Sequence, residues 1–330
     1  MIAAVNQHLG QPLAPATPRA MTIAVSGASG LVGSALSKAI VDRSWKLRRL
    51  VRGYSNRGQG ENIPWIPESG LVNFTGLSGV DAVVHLAGDN IATGRWTPAK
   101  KLRIRDSRVI ATHRLCKSLA AMSNPPRVLV CASAIGYYGE RGNQPLSESE
   151  LPGRGFLAEV CTQWERATQP AVDAGIRVVH MRIGVVLSPA GGALKQMLLP
   201  FRLCLGGKIG SGRQYWSWIS LSDLVRSLLF AVETDELAGP VNAVAPNAVS
   251  NAEFTRVLGR VLHRPTLFPL PGFVARLVLG EMADDLLLAS IRVVPERLQQ
   301  NDFKFEHPDL ETALRAVLNR KQSSPNRATP

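Results

Sequence analysis

The sequence predicts an α/β protein with a doubly wound parallel sheet and a smaller C-terminal lobe. Short segments rich in Val, Ile and Leu alternate with helix-like segments, a glycine-rich turn directly follows the first of them, and the alternation stops near residue 187. This pattern is typical of buried parallel strands with crossover helices. The 330 residues suffice for one large domain or two smaller ones.

Each predicted element is a short segment between turn residues. The predicted strands are Thr22–Ser26, Lys46–Arg52, Asp81–Ala87, Arg127–Ala132 and Arg177–Ile183. The predicted helices are Leu31–Arg43, Pro98–Met122, Phe156–Ala174 and Ser222–Glu233. In such a sheet the ligand lies at the carboxyl ends of the strands.

The composition is that of a globular protein, with 45% apolar and 19% charged residues and a mean hydropathy of +0.03. Charged residues or prolines interrupt every apolar run before the roughly 18 residues that a membrane-spanning helix needs, so no membrane insertion is expected. The four cysteines form no CxxC pair and the six histidines show no ligand spacing. We therefore expect no metal site and a reducing, cytoplasmic location.

The net charge is +13, and three basic windows, residues 41–57, 95–108 and 311–330, account for the whole excess. Such a balance raises the question of nucleic acid or an anionic membrane surface. Because no nucleic-acid-binding motif is present, no nucleic-acid partner is expected.

The glycine-rich turn has the sequence Gly27-Ala28-Ser29-Gly30-Leu31-Val32-Gly33. The first glycine permits a tight turn, the second lets the backbone approach a pyrophosphate, and the third packs the helix against the sheet. Amides at the helix N-terminus, including those of Ser29, Leu31 and Val32, would receive the anion. The sequence therefore predicts a Rossmann-like, dinucleotide-binding core.

The end of the second predicted strand, Leu50-Val51-Arg52, bears on the choice of dinucleotide. An acidic residue there would bind the adenosine ribose hydroxyls, whereas Arg52 suits a 2′-phosphate. NADP(H) is preferred over NAD(H). The alternative is that Arg52 belongs only to a solvated basic edge.

Later motifs resemble one known group. They are DAVVHLAGDNI (81–91), RWTPAKKLRIRDSRVIAT (95–112), ASAIGYYGERG (132–142), the long segment 181–224 and the segment 239–265. In this order they are similar to the atypical extended short-chain dehydrogenase/reductases of the epimerase family, which are NAD-dependent epimerase/dehydratase-like proteins with a characteristic C-terminal domain. The resemblance covers about residues 21–318.

The resemblance implies further cofactor contacts and a domain plan. The implied cofactor-side residues are Val51, Leu86, Ala87, Gly88, Arg103, Arg108 and Val186. The expected parts are a disordered extension (residues 1–20), a core (21–186), a substrate lobe (187–318) from which about 219–245 returns to the core, and a disordered tail (319–330). Residues 1–20 could alternatively belong to a targeting segment for an organelle such as a plastid. Relatives also suggest a homodimer through the two long predicted helices.

The usual Tyr-x-x-x-Lys proton-transfer pair of this superfamily is missing. If Phe156 occupies the Tyr position, the residue four later is Val160, and neither transfers protons. Ser133 and Tyr137 are the catalytic candidates, as a hydrogen-bond donor and an acid. Alignment on Tyr138-Gly139 would instead place Ala134 at the catalytic Ser position, and both tyrosines could simply pack at the domain junction.

Other polar residues allow both a binding and a structural interpretation. Asp89 and Asn90 suit either a ligand contact or a turn. Arg213 could bind an anionic substrate, while the neighbouring Gln214, Trp216 and Trp218 are expected to pack. We interpret Glu140, Glu148 and Glu165 as solvated surface charges and His85 as a core histidine.

Two functions stay open at this stage. One is an NADP(H)-dependent oxidoreductase or epimerase-like enzyme that acts on a small molecule. The other is an NADP(H)-sensing regulator or scaffold without chemistry, suggested by the missing Tyr–Lys pair. The identity of the small-molecule substrate is not readable from the sequence.

Overall fold

A computed structural model describes residues 20–53, 62–67, 69, 71–72 and 74–319 of the chain. The predicted disordered ends at 1–20 and 319–330 lie almost entirely outside these residues. The strands are β1 (Thr22–Ser26), β2 (Lys46–Arg52), β3 (Asn62–Ile66), β4 (Leu71–Val72), β5 (Ala82–His85), β6 (Val128–Ala134), β7 (Pro145–Leu146), β8 (Arg177–Ile183), β9 (Val185–Leu187), β10 (Tyr215–Trp216), β11 (Trp218–Ser220), β12 (Gly239–Ala243), β13 (Val249–Ser250) and β14 (Arg292–Val293).

Helices connect most of these strands. They are α1 (Leu31–Asp42), α2 (Phe74–Leu77), α3 (Pro98–Asp106), α4 (Val109–Ala120), α5 (Phe156–Arg166), α6 (Gln169–Asp173), α7 (Gly192–Arg202), α8 (Leu221–Glu233), α9 (Asn251–Leu262), α10 (Gly272–Leu279), α11 (Glu281–Ala283), α12 (Glu296–Gln300) and α13 (Leu310–Asn319). A 3₁₀ turn follows β6 at Ile135–Tyr138, and a π-helical turn follows α11 at Asp284–Leu288.

The central sheet confirms the predicted α/β fold class. Its strand order is β12-β8-β6-β5-β1-β2-β3-β4, and every neighbouring pair is parallel except β3 with β4. The chain builds outward from β1 in one direction through β2 and β3, and in the other through β5, β6, β8 and β12. This reversal next to β1 is the position at which doubly wound sheets bind their ligands.

Apolar side chains cover both faces of the sheet because successive strand residues point to opposite sides. On one face Val25 and Val130 pack with α1 and α8, as the burial of Leu36 and Leu228 in the same cluster shows. On the other face Leu129 and its neighbours pack against α4, α5 and α6. Residues 219–245 contain most of β11 and all of α8 and β12, so this segment contributes a helix and an edge strand to the core.

Each of the two long predicted helices is divided into two shorter ones, so the prediction of single helices is wrong. Near Ser107 and Arg108 the backbone switches to i→i−3 hydrogen bonding, and both side chains donate to the Ile104 carbonyl, which separates α3 from α4. Thr168 does the same to the Glu165 carbonyl at 2.7 Å, and Pro170 has no N–H, which separates α5 from α6.

The C-terminal lobe has its own apolar core. Trp218, Phe254 and Leu258 are almost fully buried there, together with Leu314 of α13. Small sheets join the lobe to the rest of the chain, since β9 pairs with β11 and β7 pairs with β14. Among the described residues no helix has both the length and the apolar content to cross a membrane.

Candidate active site

The glycine turn between β1 and α1 has no room for side chains at two positions. Gly27 has φ +68°, and a Cβ there would lie 2.9 Å from the Ala87 nitrogen. A Cβ on Gly33 would lie 2.1 Å from the Gly27 carbonyl oxygen. Gly30 closes the turn by donating to the same carbonyl at 3.0 Å. Substitution at Gly27 or Gly33 would therefore deform the turn.

The turn presents backbone amides at the start of α1. Gly30 caps the helix without a side-chain hydrogen bond, and within the described residues the amides of Leu31 and Val32 have no acceptor. Ser29 is exposed beside them. Free amides at the positive end of a helix fit a pyrophosphate. The turn thus fits the diphosphate of a dinucleotide.

The strands on either side of β1 end at the same edge of the sheet. Ser26 pairs with Leu50 of β2 and with His85 of β5. The next residues along these two strands, Val51 and Leu86, therefore lie beside the glycine turn. Arg52 follows Val51, is exposed and has no side-chain partner in the described part of the chain. Its guanidinium is therefore available to an anion at this edge.

A buried hydrogen-bond chain supports the 86–88 segment from below. The Ser26 hydroxyl accepts from the Leu86 and Ala87 amides at 3.1 and 3.3 Å, so its proton goes to His85 Nδ1 at 2.6 Å. His85 Nε2 then donates to Thr112 at 3.0 Å. Burial lowers the pKa of His85 to about 4. His85 is the core histidine that the sequence predicted.

Arg108 lies next to the 86–88 segment. A Cβ on Gly88 would lie 3.2 Å from the Arg108 guanidinium carbon, which stacks 5.2 Å from the Trp164 ring centroid. Arg103, one helix earlier, is exposed and has no side-chain partner among the described residues. Arg108 is therefore within reach of a ligand over Gly88, whereas the exposed Arg103 acts only electrostatically on nearby Asp89.

The loop after Gly88 has a structural explanation. Lys100 donates to the Asp89 carboxylate at 2.6 Å and to the Asn90 carbonyl at 2.6 Å, and this hydrogen bond lowers the pKa of Asp89. The Asn90 side chain accepts from the Ala92 amide at 2.9 Å. Both side chains hold the turn.

Val186 in β9 lies near the glycine turn. Its carbonyl oxygen is 3.6 Å from a Cβ placed on Gly192, and a Cβ on the preceding Gly191 would lie 3.3 Å from the Leu31 side chain. The fold thus brings Val186 and Leu31 to the same wall of the crevice. This crevice, lined by the ends of β1, β2 and β5 and by Val186, is called the cofactor crevice below.

Phe156 and Val160, the residues predicted for the proton-transfer positions, pack against other side chains. Phe156 makes an edge contact with Trp96, with ring centroids 5.2 Å apart, and Lys101 lies over the Phe156 ring at 5.0 Å. Val160 is 3% exposed. Phe156 is half-buried and Val160 is buried, and neither side chain is an acid or a base.

Ser133 lies in a buried polar row across three strands. It pairs in register with Arg182 of β8, which pairs with Asn242 of β12. The Ser133 hydroxyl donates to Glu165 at 2.7 Å, and Arg182 binds both carboxylate oxygens of Glu165 at 2.9 Å. The Ser133 proton is therefore engaged inside the protein.

Tyr138 and Glu148 complete this row. The Tyr138 hydroxyl accepts from Arg182 at 2.9 Å and donates to Asn242 at 2.7 Å, and burial raises its pKa to about 12. Glu148 accepts from the Asn242 amide at 2.9 Å, and burial raises the pKa of Glu148. The interpretation of Glu148 and Glu165 as solvated surface charges is wrong, because the buried Arg182 and backbone amides recruit them. Glu140 alone of the three is exposed.

Tyr137 points differently from Tyr138. Its ring stacks on the Arg182 guanidinium at 3.5 Å and meets the Tyr138 ring edge-on at 5.3 Å. The side chain is half-buried, and its hydroxyl has no partner within the described residues. Of the two tyrosines, only Tyr137 has a phenol free to act on a ligand.

A cavity of about 300 Å³ lies between the turn after β6, the start of α5 and the C-terminal lobe. Its wall includes Gly136, Leu157, Arg154, Arg276 and Asp285. Arg154 has no side-chain partner in the described part of the chain, whereas Arg276 pairs with Asp284 at 2.8 Å. Gly136, the first lining residue in the chain, lies two residues after Ala134. None of the glycine-turn residues lines the cavity.

Asp285 is a half-buried acid in this wall. Its Oδ2 is buried without a partner among the described residues, while the Leu157 amide binds its carboxyl group at the start of α5. Burial, reinforced by the nearby Glu281, raises the pKa of Asp285. An acid held in this way keeps a proton more readily than a solvated one.

The remaining predicted candidates have packing roles. Gln214 donates to the Ile209 and Leu287 carbonyls, and the Trp216 and Trp218 indoles donate to the carbonyls of Leu287 and Asn247. Arg213 is exposed beside them. The tryptophans and Gln214 thus pack as expected.

Asp223, Glu306 and His307 place three metal-ligating groups within 4.8 Å of one another. However, the Asp223 carboxylate already accepts from the Ser220 hydroxyl, from Arg226 and from the amides of Glu306 and His307. This arrangement fastens the 306–307 segment to α8 and leaves the carboxylate no free lone pair for a cation.

Comparison with known sequences decides the family. The profile of the NAD dependent epimerase/dehydratase family matches residues 23–244, and that of a domain of unknown function, DUF1731, matches residues 270–317. The chain belongs to the NAD-dependent epimerase/dehydratase family. An epimerase family protein of Mycobacterium bovis is 46% identical to it over 292 residues, which are 88% of this chain and 96% of the relative.

Other relatives of this epimerase family member come from plants and animals. A chloroplastic epimerase family protein, an SDR39U1 homolog of Arabidopsis thaliana, is 37% identical over 306 residues, covering 90% of this chain and 87% of the relative. The crystal structure of human epimerase family protein SDR39U1 (isoform 2) with NADPH has a TM-score of 0.83 and 33% identity, covering 91% and 100% of the two chains. The resemblance seen in the sequence is thereby confirmed.

Two residues in the site of this family member, Arg182 and Asp285, were not predicted from the sequence. Arg182 could have been noticed, because a cation inside the apolar strand RVVHMRI requires a buried partner. Asp285 gives no such signal, because the segment EMADDLLL does not show which carboxyl group turns inward. Only the packing of the C-terminal lobe against α5 places Asp285 at the cavity.

Proposed function

We propose that this protein is an NADP(H)-dependent oxidoreductase or epimerase-like enzyme whose small-molecule substrate occupies the cavity between α5 and the C-terminal lobe. The observation that carries the proposal is the cofactor crevice, where, among the described residues, the Leu31 and Val32 amides have no acceptor, Arg52 has no side-chain partner and Arg108 lies over Gly88. NADPH in the human relative supports the choice of ligand. When bound, a nicotinamide dinucleotide supplies hydride transfer.

The residues assigned to the cofactor follow from this geometry. Gly27, Gly30 and Gly33 shape the turn, and Ser29, Leu31 and Val32 lie where the diphosphate would bind. Arg52 and Val51 would flank the adenosine ribose, with Arg52 selecting the 2′-phosphate. Leu86, Ala87, Gly88 and Val186 would line the crevice walls.

The proton donor must differ from the usual Tyr–Lys pair. We assign this role to Tyr137 or Asp285. Tyr137 lies in the turn after β6, and Asp285 lies beside the start of α5. Each has a polar atom without a partner among the described residues. Ser133 we assign to positioning, because its hydroxyl proton is donated to Glu165 at 2.7 Å.

The test is a fluorescence titration with NADPH and NADH. Wild type should prefer NADPH, and Arg52→Ala should weaken NADPH binding roughly 10- to 100-fold, as loss of a charge-assisted contact to phosphate predicts, while NADH binding changes little. Lys46→Ala is the matched control, since Lys46 is an exposed cation at the opposite end of β2. Equal affinity for both nucleotides in wild type would contradict the NADP(H) assignment.

A second function is favoured by Phe156 and Val160: an NADP(H)-sensing regulator without chemistry. The two functions differ in turnover. Oxidation of NADPH by any member of a panel of aldehydes, ketones and nucleotide sugars, reduced in Tyr137→Phe or Asp285→Asn, would establish the enzyme. Tight NADPH binding with no hydride exchange across the panel would favour the regulator.

A reducing compartment suits either function. Cys116, Cys131 and Cys161 are buried free thiols, and burial raises the pKa of Cys116 and Cys161 to about 12. Such thiols are inert and need no disulfide partner. We propose the cytoplasm or an equivalent reducing organelle interior as the location.

A further inference from the structure

The C-terminal lobe has a surface ridge of large apolar side chains that protrude into solvent. The ridge is defined here as Leu199, Leu203, Leu267, Phe268, Phe273 and Leu277, whose exposures range from 58% to 74%. Exposed apolar groups on this scale mark interaction sites when they are contiguous.

Hydrogen bonds bring the α7 part of the ridge beside the segment that precedes α10. The Leu270 amide donates to the Lys208 carbonyl at 2.9 Å, and Arg264 donates to the Arg202 carbonyl at 3.2 Å, so the end of α7 lies along the segment before α10. Phe273 and Leu277 are four residues apart on α10 and share one face. Ala275, on the opposite face of α10, is buried.

Basic residues near the ridge fall into two groups. Arg256, Arg260 and Arg276 form ion pairs with Glu253, Glu311 and Asp284, whereas residues 183–222 contain four basic residues and no acidic one. Lys195, Arg202 and Lys208 are exposed and have no acidic partner within the described residues. Within the described part of the chain, three cations without an acidic partner therefore flank the ridge.

We propose that this ridge rests on an anionic lipid surface, with Phe268, Phe273 and Leu277 in the headgroup region and Lys195, Arg202 and Lys208 at the lipid phosphates. Protruding aromatic and Leu side chains with neighbouring cations are the pattern of interfacial membrane binding. The ridge side chains stand out from the surface and line no part of the cavity at α5, which favours a deformable surface over a peptide bound in a groove. Attachment of this kind needs no membrane-spanning helix.

The test is co-sedimentation of the full-length protein with phosphatidylcholine vesicles that contain or lack phosphatidylglycerol. Three such cations predict binding to the anionic vesicles that is roughly 100-fold stronger than to the neutral ones and that weakens with salt. The variant Phe268→Ser/Phe273→Ser/Leu277→Ser should lose at least about tenfold of this binding. Val41→Ser/Leu151→Ser/Val172→Ser, at exposed apolar sites outside the ridge, should keep it.

NADPH affinity and thermal unfolding of each variant show whether it is folded. Absence of wild-type binding to anionic vesicles would overturn the proposal, and so would equal binding by a folded ridge variant. Sedimentation equilibrium that shows a dimer in wild type and a monomer in the ridge variant would also overturn it, since the ridge would then be an interface between copies of the chain. These outcomes do not depend on whether the protein turns over a substrate.

Discussion

The carboxyl edge of the parallel sheet has two parts, called the first edge and the second edge below, and their rows of polar residues differ in which groups stay free for a ligand. Under the cofactor crevice, Ser26 and His85 form a neutral row that fixes the 86–88 backbone, and the ligand-binding groups above it remain available. At the ends of β6, β8 and β12, Ser133, Arg182 and Asn242 form a row in which every polar side chain is bound by another part of the protein. The first edge has free groups that fit a ligand, whereas the polar groups of the second row bind one another, except that Glu148 Oε2 is buried without a partner among the described residues.

This difference explains how the glycine turn that binds the dinucleotide can be kept while the Tyr–Lys proton-transfer pair is lost. Backbone amides bind a diphosphate whatever the neighbouring side chains are, provided that the glycines keep the turn. A proton-transfer pair depends on two side chains that can be replaced by apolar ones, as we propose for Phe156 and Val160. Ser133 of the second edge then donates its hydroxyl proton to Glu165 and not to a substrate.

The largest effect should come from breaking the charged row. Arg182→Ala leaves Glu165 buried without its cation and should lower the free energy of unfolding by about 3–5 kcal/mol. Arg166→Ala, an exposed cation on the same helix as Glu165, should change it by less than about 0.5 kcal/mol. Urea denaturation of both variants measures this, and a loss in Arg182→Ala no larger than in the control would show that the row is not structural.

The glycine turn should show the next largest effect, on binding. Gly33→Ala places a methyl group against the Gly27 carbonyl and should weaken NADPH binding about 100-fold, or about 2.7 kcal/mol. Ser34→Ala, at the next residue of α1, should bind NADPH normally. Isothermal titration of the two variants separates them, and unaltered binding by folded Gly33→Ala would refute the close approach of the turn.

His85 should make stability depend on pH. Its pKa of about 4 in the folded protein lies below the value of 6.5 that applies when the chain is unfolded, so the unfolded state binds more protons between these values. Stability from this group is complete above pH 6.5 and falls by about 3 kcal/mol as the pH decreases to 4. The wild type should therefore lose more stability than His85→Gln over this window, and parallel pH profiles of the two proteins would contradict the neutral row.

The smallest expected effect distinguishes positioning from catalysis at Ser133. Ser133→Ala removes one hydrogen bond to Glu165 and should cost about 1–2 kcal/mol of stability, with NADPH affinity unchanged. Thermal unfolding and NADPH titration together measure this. Abolished turnover in a Ser133→Ala protein of normal stability would instead restore the serine to the reaction.

The first edge was readable from the sequence because local rules determine it. The glycine turn after TIAVS, the cation at Arg52 and the apolar context of His85 each depend on residues close in the chain or on one strand. Helix boundaries at Ser107 and Thr168 were not readable, since side-chain bonds to carbonyls end those helices. The second edge requires partners far apart in sequence: Glu165, Arg182 and Glu148 meet only when β6, β8 and β12 align.

The most direct test of the central claim is amide hydrogen exchange with and without NADPH. If the two edges differ as described, NADPH should slow exchange in residues 27–33 and 86–88, whereas amides around Glu148 and Asn242, already engaged in the charged row, should not change. Unchanged exchange in the glycine turn at saturating NADPH would contradict the assignment of the cofactor crevice.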